Sequence, residues 1–527
     1  MNKNLHRIVF NRTHSIMKAV SVASLLVVAA AMPAQAVTYY GTYKLSSGTI
    51  TLSNTAISAS ATDTSAVWVT STGNLTINTG TLTTTGSSSS SDSSSFYGLD
   101  SGVLATSSGV ITLNNCSVTT SGNGANGVFA YGTGSISMTG GSVNCTGQYA
   151  HAIMASGGGT LTATNVNMST AGANSGAIAT DRGGGTITVT GGTVTTSGQD
   201  SPGIYSTGTI TVSNAVISAS GSEAAVIEGA NSIKLTNTAL SSSKTGKWGV
   251  LIYQSMSGDA SGTTGTFTMT GGTLAYTSTS GPLFYVTNST GIIKLTGAKV
   301  TAASGVLVKA GTGSWGTSGS NGGTVNLTAD NETLTGSMTA DSLSSITATL
   351  QNNTTLTGVV NRAALTVDSS SAWYGMAGSV LNSLSNSGKI SSMTAAPGLL
   401  TVSGAFTQTS TGTLNIELGG TTAGSTYDKI SVTGAATLAG TLNLDLVNGF
   451  TPTVGETFDI ITCSSQSGTF SALTSSTSGL IYKATYSSSL VELTITAVPE
   501  PTAGALMLVA AIMGSVLFGF CRIRRRK

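Results

Sequence analysis

Apolar side chains alternate with Thr, Ser and Asn along most of the chain, in short runs that close at Asn or Gly. One such run is Ile187-Thr188-Val189-Thr190, which is followed by Gly191. An alternation with a period of two is typical of a strand with one buried face, and a Gly or Asn behind it marks a turn. The pattern therefore predicts many short strands, each pointing every second side chain into a core.

The same phrase returns about every 25 residues, which is the sequence signature of a repeat architecture. An apolar residue stands at each start and, in the first ten units, also two places and seven places after it. The starts are Ile50, Leu75, Ile111, Ile136, Leu161, Ile187, Ile210, Ile233, Phe267, Ile293 and Val325. Four places after the first ten starts stand Asn54, Thr79, Asn115, Gly140, Asn165, Gly191, Asn214, Asn237, Gly271 and Gly297. Asn and Gly tolerate the left-handed backbone of a sharp corner, so we expect a bend between two strands there.

A third apolar patch follows in each unit, as in Gly127-Val128-Phe129 and Gly203-Ile204-Tyr205. Three short strands per repeat predict a right-handed parallel β-helix over residues 37–367, in which each coil rests on its neighbours. The fold class is therefore all-β. The longer intervals predict loops that leave the solenoid, among them a flexible excursion at the serine-rich run 87–95.

Beyond Asp368 the period is lost, but strand-forming phrases continue to residue 497. These phrases include Trp373-Tyr374, Val380-Leu381 and Leu399-Leu400, followed by 414–418, 427–432 and 442–446. This segment resembles the last part of pertactin-like autotransporter passengers. The resemblance implies a β-rich domain over 368–497 that caps the solenoid.

Residues 1–36 have the composition of a secretory signal peptide. A basic stretch with Lys3, Arg7, Arg12 and Lys18 precedes an apolar stretch from 19 to 32, and Ala34 and Ala36 form a small-residue cleavage site. We expect signal peptidase to cut before Val37.

Residues 498–527 predict a second targeting element. Pro499, Glu500 and Pro501 precede an uncharged stretch from 502 to 520, which is long enough for one transmembrane helix. A basic end follows, with Arg522, Arg524, Arg525 and Arg526. Together these features resemble the PEP-CTERM sorting signal of Gram-negative bacteria, which implies recognition and removal by an exosortase-type membrane peptidase. A plain tail anchor is the alternative.

The charge balance of the body is acidic. Of the 21 Lys and Arg, four lie before residue 37 and five lie after residue 501, which leaves 12 against all 19 Asp and Glu. No cluster of basic residues marks a nucleic-acid surface. We therefore expect no nucleic-acid partner.

Few residues carry candidate chemistry. Asp200 and Glu223 each lie thirteen places after a repeat start, with Asn174 in the same column, and coils stack at about 4.8 Å. Two carboxylates at that spacing are a weak candidate for the pair of a retaining glycosidase. His151 is expected in a surface turn, and Cys116 and Cys145 are expected to be unpaired because they fall in different columns. The sequence indicates no metal and no cofactor.

Outward positions one and three places after the starts carry columns of threonine, which offer a binding surface for ice or a glycan. Lys234 and Lys294 interrupt the first column. The first column holds Thr112, Thr162, Thr188, Thr211 and Thr268, and the second holds Thr139, Thr164, Thr190, Thr236, Thr270 and Thr296.

These observations predict a protein that is exported through the inner membrane, anchored transiently by its C-terminal helix and then sorted to the cell surface or extracellular matrix. The expected role is structural or adhesive, with extracellular polysaccharide or a cell surface as partner. A polysaccharide-active hydrolase or lyase is the first alternative, and an ice- or glycan-binding module is the second.

Overall fold

Short strands joined by tight turns make up nearly all of the computed structural model, which describes residues 37–498. The chain divides into two compact units between Leu365 and Thr366. The predicted signal peptide, and the sorting tail from Pro499 onward, lie outside the described residues.

The first unit contains one helix, α1 (Ser91–Tyr97), among its described residues. Its strands are β1 (Tyr40–Ser53), β2 (Ala56–Ala59), β3 (Thr64–Asn78), β4 (Thr81–Thr84), β5 (Val103–Ala105), β6 (Val110–Thr120), β7 (Val128–Tyr131), β8 (Ser135–Cys145), β9 (Ile153–Ser156), β10 (Gly159–Thr164), β11 (Asn167–Thr170), β12 (Ile178–Thr180), β13 (Gly185–Thr190), β14 (Thr193–Thr196), β15 (Ile204–Ser206), β16 (Thr209–Ser213), β17 (Val216–Ala219), β18 (Ala225–Glu228), β19 (Ser232–Thr236), β20 (Ala239–Ser242), β21 (Val250–Tyr253), β22 (Thr264–Thr270), β23 (Thr273–Tyr276), β24 (Phe284–Thr287), β25 (Thr290–Thr296), β26 (Lys299–Ala302), β27 (Val306–Ala310), β28 (Thr324–Asp330), β29 (Thr333–Thr335), β30 (Ser337–Ala340), β31 (Ser345–Gln351), β32 (Thr355–Thr357), β33 (Val360–Asn361) and β34 (Ala363–Val367), which reaches into the second unit.

These strands form parallel ladders in which each strand pairs with its counterpart one coil away. The first ladder runs through β6, β8, β10, β13, β16, β19, β22, β25, β28 and β31. The second runs through β2, β4, β6, β8, β11, β14, β17, β20, β23 and β26. The third runs through β3, β5, β7, β9, β12, β15, β18, β21, β24 and β27. Parallel pairing between successive coils is consistent with a β-helix and confirms the predicted fold class at that level.

The repeat register read from the sequence is confirmed from Ile50 to Ile293. Each start pairs with the next one along the first ladder, as Leu161 pairs with Ile187 and Ile187 with Ile210. All starts after Ile50 in this range are buried. The pairing extends to the columns two and seven places on, so the core consists of stacked aliphatic rows.

The last predicted start is wrong. Ile293 pairs with Leu327, while Val325 pairs with Gly291. Val325 and Leu327 are both buried and stand two positions apart. A register shift of two residues therefore keeps each side chain on the same face of the strand, buried or exposed. Alternation alone therefore does not separate the two registers.

The predicted corner column adopts the left-handed backbone throughout. Its ten members, from Asn54 to Gly297, have φ between 47 and 67°. The Oδ1 atom of Asn165 lies over Gly191 of the next coil, where an added Cβ would approach it to 2.1 Å. Glycine at 191 is therefore required both by its φ of 67° and by the asparagine stacked above it.

The third ladder is buried on both faces. Its outward row, which includes Leu104, Phe129, Met154 and Tyr205, is as buried as its inward row. Strands that are covered on both sides read as continuous apolar runs, which explains why the third patch lacks alternation. The longer repeat intervals supply covering excursions, as predicted, at 85–102, 254–263 and 311–323.

The serine-rich run is not a flexible excursion, because α1 begins within it. The Ser90 side chain accepts a hydrogen bond from Ser93 N at 3.1 Å, and Gly98 closes the helix with a φ of 80°. Phe96 is buried, and the guanidinium of Arg182 lies 3.9 Å from its ring centroid. A serine N-cap and one buried aromatic side chain hold this segment in place.

The second unit also consists of parallel coils, although the sequence shows no regular period there. Leu384 pairs with Phe406, and Phe406 pairs with Ala436, so successive coils differ in length. The strand β49 pairs antiparallel with both β45 and β48. The strands are β35 (Ala372–Tyr374), β36 (Val380–Leu381), β37 (Ser383–Asn386), β38 (Lys389–Ser391), β39 (Leu399–Val402), β40 (Phe406–Gln408), β41 (Thr413–Leu418), β42 (Lys429–Val432), β43 (Ala435–Leu438), β44 (Thr441–Leu446), β45 (Thr457–Thr462), β46 (Ser465–Gly468), β47 (Ala472–Ser475), β48 (Ile481–Tyr486) and β49 (Leu490–Ala497).

Candidate functional sites

The outward side of the first ladder forms a surface of polar side chains, here called the hydroxyl face. Both predicted threonine columns lie on it, in register from coil to coil, as Thr162 pairs with Thr188 and Thr188 with Thr211. Lys234 and Lys294 stand in the first row, as predicted. The first row is Thr112, Ser137, Thr162, Thr188, Thr211, Lys234, Thr268 and Lys294, and the second is Asn114, Thr139, Thr164, Thr190, Ser213, Thr236, Thr270 and Thr296.

The weak catalytic candidates Asp200 and Glu223 are brought together by a lysine that the sequence did not point to. The Nζ atom of Lys247 lies 2.7 Å from Oδ1 of Asp200 and 3.6 Å from Oε1 of Glu223. The side chains of Lys247 and Glu223 are 5% and 0% exposed, and that of Asp200 is 16% exposed. An ion pair buried to this degree is shielded from a polymeric substrate.

Asp200 and Glu223 do not occupy equivalent positions in successive coils, although the sequence placed them in one column. Asp200 stands four residues before Ile204, whereas Glu223 stands two residues before Ala225, which is the partner of Ile204. The connection between β17 and β18 is two residues shorter than that between β14 and β15. Asn174, four residues before Ile178, shares the level of Asp200, as predicted.

Burial dominates the electrostatics of Glu223. Loss of water raises the pKa of its carboxyl, and the nearby Lys247 ammonium opposes this only in part. Its Oε2 accepts a 2.5 Å hydrogen bond from the Ser222 hydroxyl, whereas Oε1 is buried and accepts no hydrogen bond. Oε1, the oxygen that faces Lys247, therefore has no hydrogen-bond donor of its own.

A second network, which sequence reasoning missed, holds the excursion 254–263 over the third ladder. Glu228 accepts hydrogen bonds from the Tyr205 and Tyr253 hydroxyls at 2.5 and 2.8 Å. Asp259, within the excursion, pairs with Arg182 at 2.6 Å. Tyr205, Glu228 and Tyr253 meet because they occupy successive coils, whereas Asp259 reaches Arg182 across several coils. The acidic side chains of the network are buried, whereas the Arg182 side chain is 43% exposed, and the contacts hold the excursion in place.

The second unit has a cleft of about 360 Å³ with polar walls. Glu417 of β41 and Asp445 of β44 stand opposite each other in register. Both carboxyl oxygens of Glu417 accept backbone N–H bonds, from Ala395 and Ala396 at 3.1 Å each, and burial raises the pKa of this carboxyl. Further lining residues are Tyr374, Lys389, Ser391, Asn415 and Thr477.

His151 was predicted to lie in a surface turn. This prediction is wrong, because the residue lies in the interior. It is 1% exposed, and its Nδ1 lies 2.9 Å from the carbonyl oxygen of Gly176. Burial lowers its pKa to about 4, so the imidazole is neutral at physiological pH. His151 precedes Ile153 of the third ladder by two residues, and its backbone N–H donates to Oδ1 of Asn126 at 2.9 Å, so it contacts the turns of both neighbouring coils.

Cys116 and Cys145 are free and buried. They fall at different levels, as predicted, because Cys116 pairs with Gly141 and Cys145 with Thr120. Within residues 37–498 no group of three or more His, Cys, Asp and Glu side chains is arranged to hold a metal ion.

The predicted targeting residues Ala34, Ala36, Pro499, Glu500, Pro501, Arg522, Arg524, Arg525 and Arg526 all lie outside the described residues. In the described part of the chain, no helix has the length and apolar character that a membrane crossing needs. In comparisons with known proteins, the chain matches no family model and no curated protein.

Proposed function

We propose that this is an exported bacterial surface protein with a structural or adhesive role in an extracellular polysaccharide matrix. The observation that carries the proposal is the hydroxyl face, whose two rows continue in register across at least eight paired strands. Each hydroxyl donates one hydrogen bond and accepts two, which matches the hydroxyls of a neutral polysaccharide. Many weak contacts repeated along one polymer give avidity that no single contact supplies.

The proposal includes the targeting route expected from both ends of the chain. Signal peptidase cuts before Val37, and an exosortase-type peptidase recognises the tail from Pro499 after its single helix enters the membrane. The finer architecture belongs to the proposal as well: a right-handed solenoid, and a second unit that serves as its cap. The antiparallel pairing of β49 with β45 supports the cap, because it covers an otherwise open strand edge.

Binding to polysaccharide tests the adhesive role. Thr162, Thr188 and Thr211 are changed together to Val, which removes three hydroxyls of one row and keeps the β-branched shape. We expect weaker co-sedimentation of the mature protein with insoluble matrix polysaccharide from its host. The matched control is the triple change of Thr83, Thr119 and Thr195 to Val.

The control residues occupy outward positions of the second ladder, so they carry the same chemistry on another side. Equal binding by the two triple variants and the unmodified protein would refute a role for the hydroxyl face. Folding is checked for all three proteins by their thermal melts.

A glycan-active enzyme is the second candidate, and the cleft of the second unit favours it. Neighbouring parallel strands lie about 4.8 Å apart, so the facing carboxylates Glu417 and Asp445 approach the spacing of a retaining glycosidase. Reducing-sugar release from host polysaccharide, lost in both Glu417→Gln and Asp445→Asn, would support this candidate over the adhesive one. The change of Asp200 to Asn and Glu223 to Gln should leave any such activity intact, because that pair is closed off by Lys247.

A further inference from the structure

Three consecutive coils each contribute one side chain to the buried Lys247 cluster. Asp200, Glu223 and Lys247 all lie in the turn between the second and third ladders, in that order along the stack. The Lys247 amine contacts the carboxylate two coils away at 2.7 Å and lies 3.6 Å from the one between. The Tyr276 hydroxyl donates to the Lys247 carbonyl oxygen at 2.7 Å, which fixes the backbone beneath the lysine.

We propose that Lys247 and Asp200 become joined by an intramolecular isopeptide bond, with Glu223 as the group that transfers protons. An amine, a carboxyl group and a second, buried carboxyl group within reach of one another are the components this condensation needs. The proposal does not depend on the adhesive function.

The reaction balances without any outside reagent. A proton first passes from the Lys247 ammonium to the Asp200 carboxylate, which gives a neutral amine and a carboxylic acid. The amine nitrogen attacks Cγ of Asp200, while Glu223 in its acid form protonates the carboxyl oxygen and then takes a proton from the nitrogen. The C–N bond forms, and Glu223 returns the proton to one of the two oxygens, which leaves as water as its C–O bond breaks. Glu223 then takes the proton from the remaining hydroxyl, which gives the neutral amide and restores the acid form of Glu223.

The positions of the three groups fit this route. Burial raises the pKa of the Glu223 carboxyl, which favours the acid form that the route uses. Because Nζ is within hydrogen-bond distance of Oδ1 of Asp200, it lies close to the carbon that it attacks. The buried Oε1 of Glu223 accepts no hydrogen bond and lies 3.6 Å from the amine.

The bond would fasten three coils by a covalent link between the first and the third. A solenoid is held by contacts between neighbours only, so it can open at any weak interface. A cross-link that spans two interfaces prevents both from separating, and it suits a protein exposed to mechanical load and proteases.

Peptide mapping of the mature protein tests the bond. Trypsin cuts after Arg182, Lys234, Lys244 and Lys294, but it does not cut after an acylated Lys247. We expect one branched species that joins 183–234 to 245–294, lighter than the two peptides by one water molecule. Separate peptides, with cleavage after Lys247, would overturn the proposal. A succinimide at Asp200 also loses water but leaves the peptides separate, so the branched species decides.

Matched variants distinguish the covalent bond from an ion pair. Lys247→Arg keeps the positive charge but cannot form the amide, and Glu223→Gln keeps the shape but cannot transfer the proton. We expect the branched species to be lost in both variants and retained in Lys244→Arg, which changes an exposed lysine in the same turn. A branched species of undiminished yield in Glu223→Gln would remove Glu223 from the mechanism.

Discussion

Replacing Ile187 by Ala tests the coil register at its centre. Ile187 is fully buried and pairs with Leu161 on one side and Ile210 on the other. The next residue, Thr188, pairs with Thr162 and Thr211 on the hydroxyl face. The two positions share one strand and the same pair of neighbouring coils, so they differ only in the side to which they point.

The structure sets different magnitudes for the two changes. Truncation of a buried Ile to Ala loses apolar burial and leaves a cavity, which costs roughly 2–5 kcal/mol. Thr188→Ala affects the accessible side and should stay within about 1 kcal/mol, the range of strand propensity. Urea unfolding measures both differences, and hydrogen exchange of the Leu161 and Ile210 amides locates the damage. The reasoning fails if Thr188→Ala destabilises as much as Ile187→Ala, or if exchange rises only in distant coils.

Three further outcomes are expected. Gly191→Ala should lower the melting temperature more than Gly48→Ala, because both have a positive φ but only the Cβ at 191 meets a neighbouring side chain. Burial raises the pKa of Asp100 from 3.8 to about 7, so the folded state favours the neutral acid. Its contribution to stability is therefore full below pH 3.8 and declines as the pH rises through 7. Asp100→Asn should abolish that part of the pH dependence in unfolding titrations, and an unchanged profile would contradict the assignment. Iodoacetamide should modify the half-buried Cys463 faster than Cys145, because burial raises the pKa of the Cys145 thiol to about 12. Peptide mass spectrometry measures both rates, and equal rates would show that the coil around Cys145 opens.

Local chemistry was sufficient to predict the corners and the core columns. Positions 165 and 191 have a left-handed backbone, which few residues other than Asn and Gly tolerate. The presence of Asn and Gly at these positions therefore predicts the corner from a single sequence. The alternation at Ile187 and Thr188 fixed which side chain points inward. The shift from Val325 to Leu327 escaped detection because a slip of two positions preserves alternation.

The strand period, the coil repeat and the composition of the hydroxyl face can be read from the amino-acid sequence, since each depends on residues close together in the chain. The folded chain was needed to show that the Lys247 amine approaches both Asp200 and Glu223, and that the turn before Ala225 is short enough to displace Glu223 from its expected level. The folded chain likewise shows that His151 is buried, with hydrogen-bond partners at Asn126 and Gly176 in the two neighbouring coils. Stacking determines which coils are adjacent, whereas turn length determines which side chains in adjacent coils meet. Turn length varies from coil to coil, so the repeat does not predict these contacts.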